Sequence, residues 1–196
     1  MIEIKNYENF TTEIINGKVF YMSPGIFAHV DAITRIKDKF TLYFYDNDMK
    51  CMVYAEGLEI YLDANNSDNY VVPDISIICD RKVKKRGYKG VPELIVEVIS
   101  PSTASKDKKE KFKIYEDAGV KEYWIADPNN KLIEQYVLED GKYNLWALVA
   151  LLDEIEFNKL TEEQKASYSS IIKPTIFKNL EIDLKDIFIP FDYDED

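Results

Sequence analysis

Apolar and polar positions along the 196 residues fall into blocks whose period changes several times. Glu13-Ile14-Ile15 and Lys18-Val19-Phe20-Tyr21-Met22 flank Asn16-Gly17, and Asn-Gly between two apolar runs predicts a hairpin closed by a type I′ turn. After Ser23-Pro24-Gly25, the residues Ile26, Val30, Ile33, Ile36, Phe40, Tyr43 and Phe44 recur at helical spacing. They predict an amphipathic helix ending near Tyr45. Strand-like stretches follow at Cys51–Tyr54 and Leu58–Leu62, then a polar turn from Asp63 to Asn69. The runs Ile75-Ser76-Ile77-Ile78-Cys79 and Leu94-Ile95-Val96-Glu97-Val98-Ile99 are almost wholly apolar, the pattern of central strands buried on both faces.

A second helix is predicted from Ser105, its N-cap, to Ala118, with Gly119 closing it. Beyond it come Tyr123-Trp124-Ile125-Ala126, a turn at Asp127-Pro128-Asn129-Asn130, and strands at Leu132–Leu138 and Tyr143–Leu151 joined through Asp140-Gly141. The tail reads as a helix over Thr161–Ile172, a strand near Ile176–Ile182 and a short turn at Leu184–Phe188. The expected class is α+β with an α/β-like core: a central mixed β-sheet flanked by helices, preceded by an N-terminal hairpin. The length suits one domain over residues 1–196.

Composition narrows this picture. An apolar share of 46% with 13% aromatic residues is globular. Cys51 and Cys79 lie in apolar, strand-like runs and read as buried free thiols rather than a disulfide or a metal pair, which favours a reducing cytoplasm. No signal peptide is expected from the polar N-terminus, and no apolar run approaches the length of a membrane span. The formal charge of −11 argues against indiscriminate adhesion to nucleic acid. The charge is uneven, however: between Arg81 and Lys113 eleven Lys and Arg stand against four acids. As a bare charge run this segment is a solvated loop and helix face.

One carboxylate stands out. Glu97 is the lone charge in a strand otherwise built of Leu, Ile and Val, a costly placement unless a cation or strong donors meet it. Asp74 opens the other buried strand, behind Pro73. If the two strands are neighbours, Asp74 and Glu97 point at one hard cation, Mg²⁺ or Mn²⁺. A third element comes from the following helix. At about 100° per residue, Lys111 lies about 40° from Asp107 and inside the apolar arc with Ile114, Tyr115 and Ala118. A lysine on a packed face needs an anion or a functional reason. Lys108, about 100° round, stands as its alternative. Such a set fits metal-assisted phosphodiester hydrolysis, with Lys111 orienting the water or stabilising charge on the phosphoryl oxygens.

Other residues carry less. His29, the single histidine, reads first as a packing or capping residue and second as peripheral to the site. Glu59 alternates with Leu58 and Ile60 and reads as solvent-facing, with a peripheral site role as the second reading. Ser102 and Thr103 read as turn and helix-start residues rather than phosphate ligands, and Tyr123 and Trp124 as core or dimer contact. The chain has no Gly-rich phosphate loop, no zinc-ligand spacing and no Ser/His/Asp set.

At these residues the chain resembles the Uma2-like (DUF820) branch of the PD-(D/E)XK nuclease superfamily. The resemblance rests on Val72-Pro73-Asp74-Ile75, on the stretch from Gly90 to Thr103 around Glu97, on Asp107, Lys111 and Tyr115, and on Gly119 to Pro128. Glu13, Asn16-Gly17, His29 and the closing Phe177–Leu184 also fit. The resemblance implies a restriction-endonuclease-like core and a Mg²⁺- or Mn²⁺-dependent DNA endonuclease, with Asp74 and Glu97 as metal ligands. The superfamily pattern places a lysine two residues after the second acid, where this chain has Ile99. In this branch the lysine looks transferred to the helix, at Lys111. DNA would be contacted through the Arg81–Lys89 and Lys106–Lys113 regions, by a cytoplasmic homodimer. The competing expectation is a nuclease fold retained for binding or regulation, without turnover.

Overall fold

The structure, a computed structural model, describes residues 11–22, 25–63, 68–80, 83–84, 87–100 and 107–190. Strands β1 (Thr12–Ile15) and β2 (Lys18–Tyr21) form the expected hairpin. Asn16 and Gly17 both take positive φ, 51° and 75°, as a type I′ turn requires. Helix α1 (Phe27–Asp46) runs 20 residues without Gly or Pro and buries Ala32, Ile33, Ile36, Phe40 and Phe44 along one stripe. There follow β3 (Met52–Ala55), β4 (Ile60–Tyr61), β5 (Ile75–Ile78), β6 (Val83–Lys84), β7 (Gly87–Lys89) and β8 (Leu94–Val98). A π-helical turn, Asp107–Lys111, leads directly into α2 (Phe112–Ala118), which Gly119 ends in the left-handed region at φ 85°. The chain continues as β9 (Glu122–Asp127), β10 (Leu132–Glu139), β11 (Lys142–Ala150), α3 (Glu154–Asn158), α4 (Glu162–Ser167), β12 (Ile171–Ile172) and β13 (Ile182–Asp183), then a 3-10 turn over Leu184–Asp186.

The central sheet has six strands in the order β11-β10-β9-β8-β5-β3. Only β8 and β9 run parallel, joined by the crossover through α2; the other neighbours are antiparallel, so the sheet is mixed. One face carries Ile75, Ile77, Leu94, Val96, Val98 and Trp124 against α1 and the tail segment around Phe177. The other carries Ile78, Ile95, Ile99, Tyr123 and Ile125 under α2 and the hairpin residue Ile15. Both β5 and β8 are buried along their whole length, as their apolar runs required. No helix among the described residues is long and apolar enough to cross a membrane.

Several expectations are corrected. Cys51 and Cys79 are joined in a disulfide, because the antiparallel β3–β5 register that pairs Met52 with Ile78 sets them opposite each other one step further out. The argument for a reducing compartment, which rested on free thiols, loses that support. The tail helix stops at Ser167: Tyr168 is extended at ψ 135°, and the β-branched Ile171-Ile172 pairs as β12 with Ile182-Asp183. That pairing also reduces the expected strand over Ile176–Ile182 to its last position. An additional short helix, α3, begins at a capping box of Asp153 and Glu156. For Trp124 the first of its two expected readings, core or dimer contact, holds: it is fully buried and donates its indole N–H to Glu122. The expected N-cap Ser105, the Ser23-Pro24 turn and Ser102-Thr103 lie outside the described residues.

Candidate active site

Asp74 stands just before β5, and the Ile75–Val96 register brings it opposite Glu97 one step beyond. Its Oδ2 accepts the Val98 backbone N–H at 2.7 Å, which fixes the carboxylate over the end of β8. Its Oδ1 lies 3.6 Å from His29 Nε2, on the first turn of α1. Glu56, in the turn after β3, has φ 48° and donates its own N–H to the Asp74 carbonyl at 3.0 Å. The ligand atoms of His29, Glu56 and Asp74 consequently lie within 4.8 Å of one another. Gly25 makes room for this: a Cβ there would come 2.5 Å from His29 Cδ2.

Glu97 belongs to a second cluster beside it, on the interior strand β8. It is 2% exposed. Its Oε1 accepts from Lys111 Nζ at 2.9 Å and from the Tyr115 hydroxyl at 2.6 Å, while no described residue donates to Oε2. Lys111, 1% exposed, is also 3.4 Å from Glu13 Oε2 and 3.7 Å from Asp107 Oδ1. Ile99, on the same strand face as Glu97, is 7% exposed and packs in the core. The lysine therefore approaches Glu97 from the helix because the strand position is committed to packing.

Three carboxylates around one ammonium set the protonation chemistry. Burial pushes the Glu97 carboxyl well above its ordinary range; Lys111 pulls it back, and Asp74, Asp107 and Glu13 push it up further. Burial opposes the charge on Lys111, but Glu97, Glu13, Asp107 and Asp74 outweigh it and hold the ammonium protonated. Burial and the Glu97 charge keep Tyr115 a neutral hydrogen-bond donor. Desolvation alone would lower the His29 pKa; the hydrogen bond and charge of Asp74, with Glu56 and the Val98 backbone, raise it overall.

The sequence candidates are thus sorted by position. Asp74, Glu97, Lys111, Asp107 and His29 converge. Lys108 turns away to Glu134, at 2.5 Å. Glu59 accepts from the Tyr61 hydroxyl at 2.5 Å and touches none of the convergent residues. Three lysines of the basic segment pair with acids: Lys108 and Lys111 as above, and Lys113 with Asp117 and Glu116, while Lys89 lies over the Tyr61 ring. Arg81, Lys82, Lys85, Arg86 and Lys106 lie outside the described residues. Two members escaped sequence reasoning. Glu13 shares its strand face with the core residue Ile15, a period-2 signal that could have marked it as inward-facing. Glu56 sits in an ordinary-looking Glu-Gly turn that carried no such signal.

Comparison with known proteins bears on the family and the fold. The family model "Uma2: Putative restriction endonuclease" matches residues 2–166. An uncharacterized protein, slr1290, of Synechocystis sp. is 29% identical over 130 residues, which is 65% of this chain; the match spans 66% of that relative's length, just under two thirds. A crystal structure described as a putative nuclease belonging to DUF820, from Anabaena variabilis, superposes with a TM-score of 0.65 at 16% identity, covering 90% of this chain and 89% of that one. The last likeness is one of fold: the α+β architecture with its central mixed sheet is shared.

Proposed function

The chain belongs to the Uma2 family, and from that premise we propose that it is a nuclease hydrolysing phosphodiester bonds in DNA with a divalent cation, Mg²⁺ or Mn²⁺. The observation that carries the reading is the convergence of His29, Glu56 and Asp74 beside the buried Glu97–Lys111 pair. Two carboxylates and one imidazole nitrogen within 4.8 Å are a donor set that suits Mn²⁺, and Mg²⁺ through the oxygens. Asp74, Glu56 and His29 would hold the ion, with Glu97 as the further carboxylate. When bound, such an ion supplies Lewis-acid polarisation of a phosphoryl oxygen and a more acidic water.

The chain's own residues do the rest. Val98 N–H fixes one oxygen of Asp74, so the other is left to face His29. Lys111 and Tyr115 both occupy Oε1 of Glu97, which leaves Oε2 to orient a water. Lys111 keeps a positive charge beside the reaction centre, where it stabilises charge growing on the phosphoryl oxygens. In this reading residues 1–196 act as one restriction-endonuclease-like domain in the cytoplasm, and the Arg81–Lys89 and Lys106–Lys113 regions contact the DNA backbone. The protein works as a homodimer, a state supported by the exposed Leu145, Trp146 and Leu148 on edge strand β11.

Glu97→Gln tests the reading, because it keeps the shape of the side chain and removes the carboxylate. The variant should lose cation-dependent cleavage of DNA while its circular dichroism stays that of the parent. Cleavage at the parental rate would sink the assignment. The neutralised lysines favour one second reading, a nuclease fold that binds without cutting. Under it the parent protein leaves DNA intact in Mg²⁺ and in Mn²⁺, and Lys111→Ala leaves binding unchanged.

A further inference from the structure

We infer that Glu13, on the N-terminal hairpin, is a positioning residue that sets the Lys111 ammonium on Glu97. The inference rests on the proposed role of Lys111. The hairpin stands outside the six-stranded sheet and joins the body through paired hydrogen bonds of Ile14 with Tyr70, each 2.9 Å. Those bonds fix the neighbouring residue so that Glu13 points inward together with Ile15, and Glu13 is 0% exposed. Its Oε2 lies 3.4 Å from Lys111 Nζ and also 3.4 Å from the Val72 N–H. Val72 leads through Pro73 into Asp74. Glu13 thus ties the segment that presents Asp74 to the lysine that serves Glu97.

A lysine needs such help more than an arginine would, since its charge sits on a flexible four-carbon stem. The ammonium of Lys111 has three N–H groups and three carboxylates around it. Asp107 approaches from its own helix at 3.7 Å and Glu13 from the hairpin at 3.4 Å, while the shortest contact, 2.9 Å, is to Glu97. The two longer contacts hold the head group laterally and leave its strongest bond on Oε1. Stability alone gives little reason for this glutamate: a buried ion pair is commonly no better than well-packed apolar side chains of the same volume. A Leu or Val at position 13 would continue the Ile15 face. The carboxylate is better explained by what it does to Lys111.

The test is a double-mutant cycle on DNA cleavage with Glu13→Gln, Lys111→Met and the pair, at saturating Mn²⁺. Glu13→Gln alone should lower kcat by about 10–100-fold, the usual cost of losing a supporting partner, with KM for DNA and Mn²⁺ affinity within about twofold of the parent. In the Lys111→Met background the same change should cost nothing further. An equal loss in both backgrounds, or no loss in the parent, overturns the inference. A second arm reads the same four proteins by urea unfolding, which needs no turnover. There the two substitutions should be strongly non-additive in midpoint, and additive midpoints overturn the inference equally. A parent protein that fails to cleave DNA counts against the proposed function, and the unfolding arm then decides the role of Glu13 by itself. Glu13→Leu serves both arms if the Gln variant does not fold.

Discussion

Lys111 is a single positive charge among Glu97, Glu13 and Asp107, all four side chains at most 3% exposed. Removing it leaves three carboxylates facing one another away from water. Lys111→Met should therefore cost about 3–5 kcal/mol at neutral pH, the range seen when one partner of a buried pair is deleted. The sign of the pH dependence follows from linkage. In the variant the Glu97 carboxyl, already pushed up by burial, loses the Lys111 charge that pulls it back, so the folded state binds a proton first on acidification. The stability deficit of the variant should shrink as pH falls through that raised value. Urea unfolding of parent and variant between pH 8 and pH 5, roughly the span in which buried carboxyls titrate, measures this; a gap that stays constant or widens would contradict the arrangement. At this scale the sequence was readable where a residue broke its surroundings. Glu97 interrupts a run of Leu, Ile and Val, and Lys111 lies on an apolar helix face. Glu56 breaks nothing locally, since a carboxylate in a turn ordinarily faces solvent, and Glu13 is marked only by sharing the face of Ile15 in a four-residue strand. Only the docking of the hairpin and the backbone pairing of Glu56 with Asp74 bring them inward.

At the scale of elements, α2 is anchored to the sheet by Glu116. Its carboxylate accepts Lys142 Nζ at 2.8 Å and the Tyr143 N–H at 2.9 Å, both from β11, as well as Lys113 from its own helix. The Lys142 hydrogen bond, then that of the Tyr143 backbone, lowers the Glu116 pKa from the ordinary 4.5 to about 2. A depressed folded-state value means that the stabilisation is present above about 4.5 and is lost as pH falls toward about 2. Glu116→Gln should accordingly be less stable than the parent at neutral pH, and the difference should close across that window in acid unfolding curves. A difference independent of pH would mean that packing, not charge, anchors the helix. Elements were legible in proportion to their local signals: both Asn-Gly and Asp-Gly turns, α1, and the two buried strands appear where the pattern put them. The tail was not, because Ile171-Ile172 suits a helix stripe and a short strand alike, and its pairing with Ile182-Asp183 is decided eleven residues downstream. The disulfide was missed for a similar reason. Two cysteines in apolar runs look like core thiols until β3 and β5 are known to be antiparallel neighbours.

The whole molecule carries a net charge of −11, and its described lysines in the Lys106–Lys113 region are largely spent on acids of the same chain. A single copy then offers DNA a weak electrostatic surface, so two copies contributing their basic segments together would bind more tightly than one. The sheet gives a reason for two copies to meet. Among the described residues β11 pairs with no strand but β10; Glu116 accepts its Tyr143 N–H and the Tyr168 hydroxyl donates to its Ala150 carbonyl, while the stretch between exposes Leu145, Trp146 and Leu148 by 56%, 58% and 59%. A long apolar edge left open invites pairing with another strand, and an antiparallel pairing of identical edges has the two-fold symmetry of a homodimer. The bulge between Gln135 and Tyr136 leaves Trp146 as the extra residue of β11, turned out of the regular ladder and free to act as the contact's anchor. Trp146→Lys puts a charge at the centre of that contact without touching Asp74 or Glu97, which lie at the interior strands β5 and β8. Light scattering should show the mass of a dimer for the parent and of a monomer for the variant, with DNA affinity reduced in step. If both proteins have the mass of one chain, or both of two, β11 is not the surface that joins them.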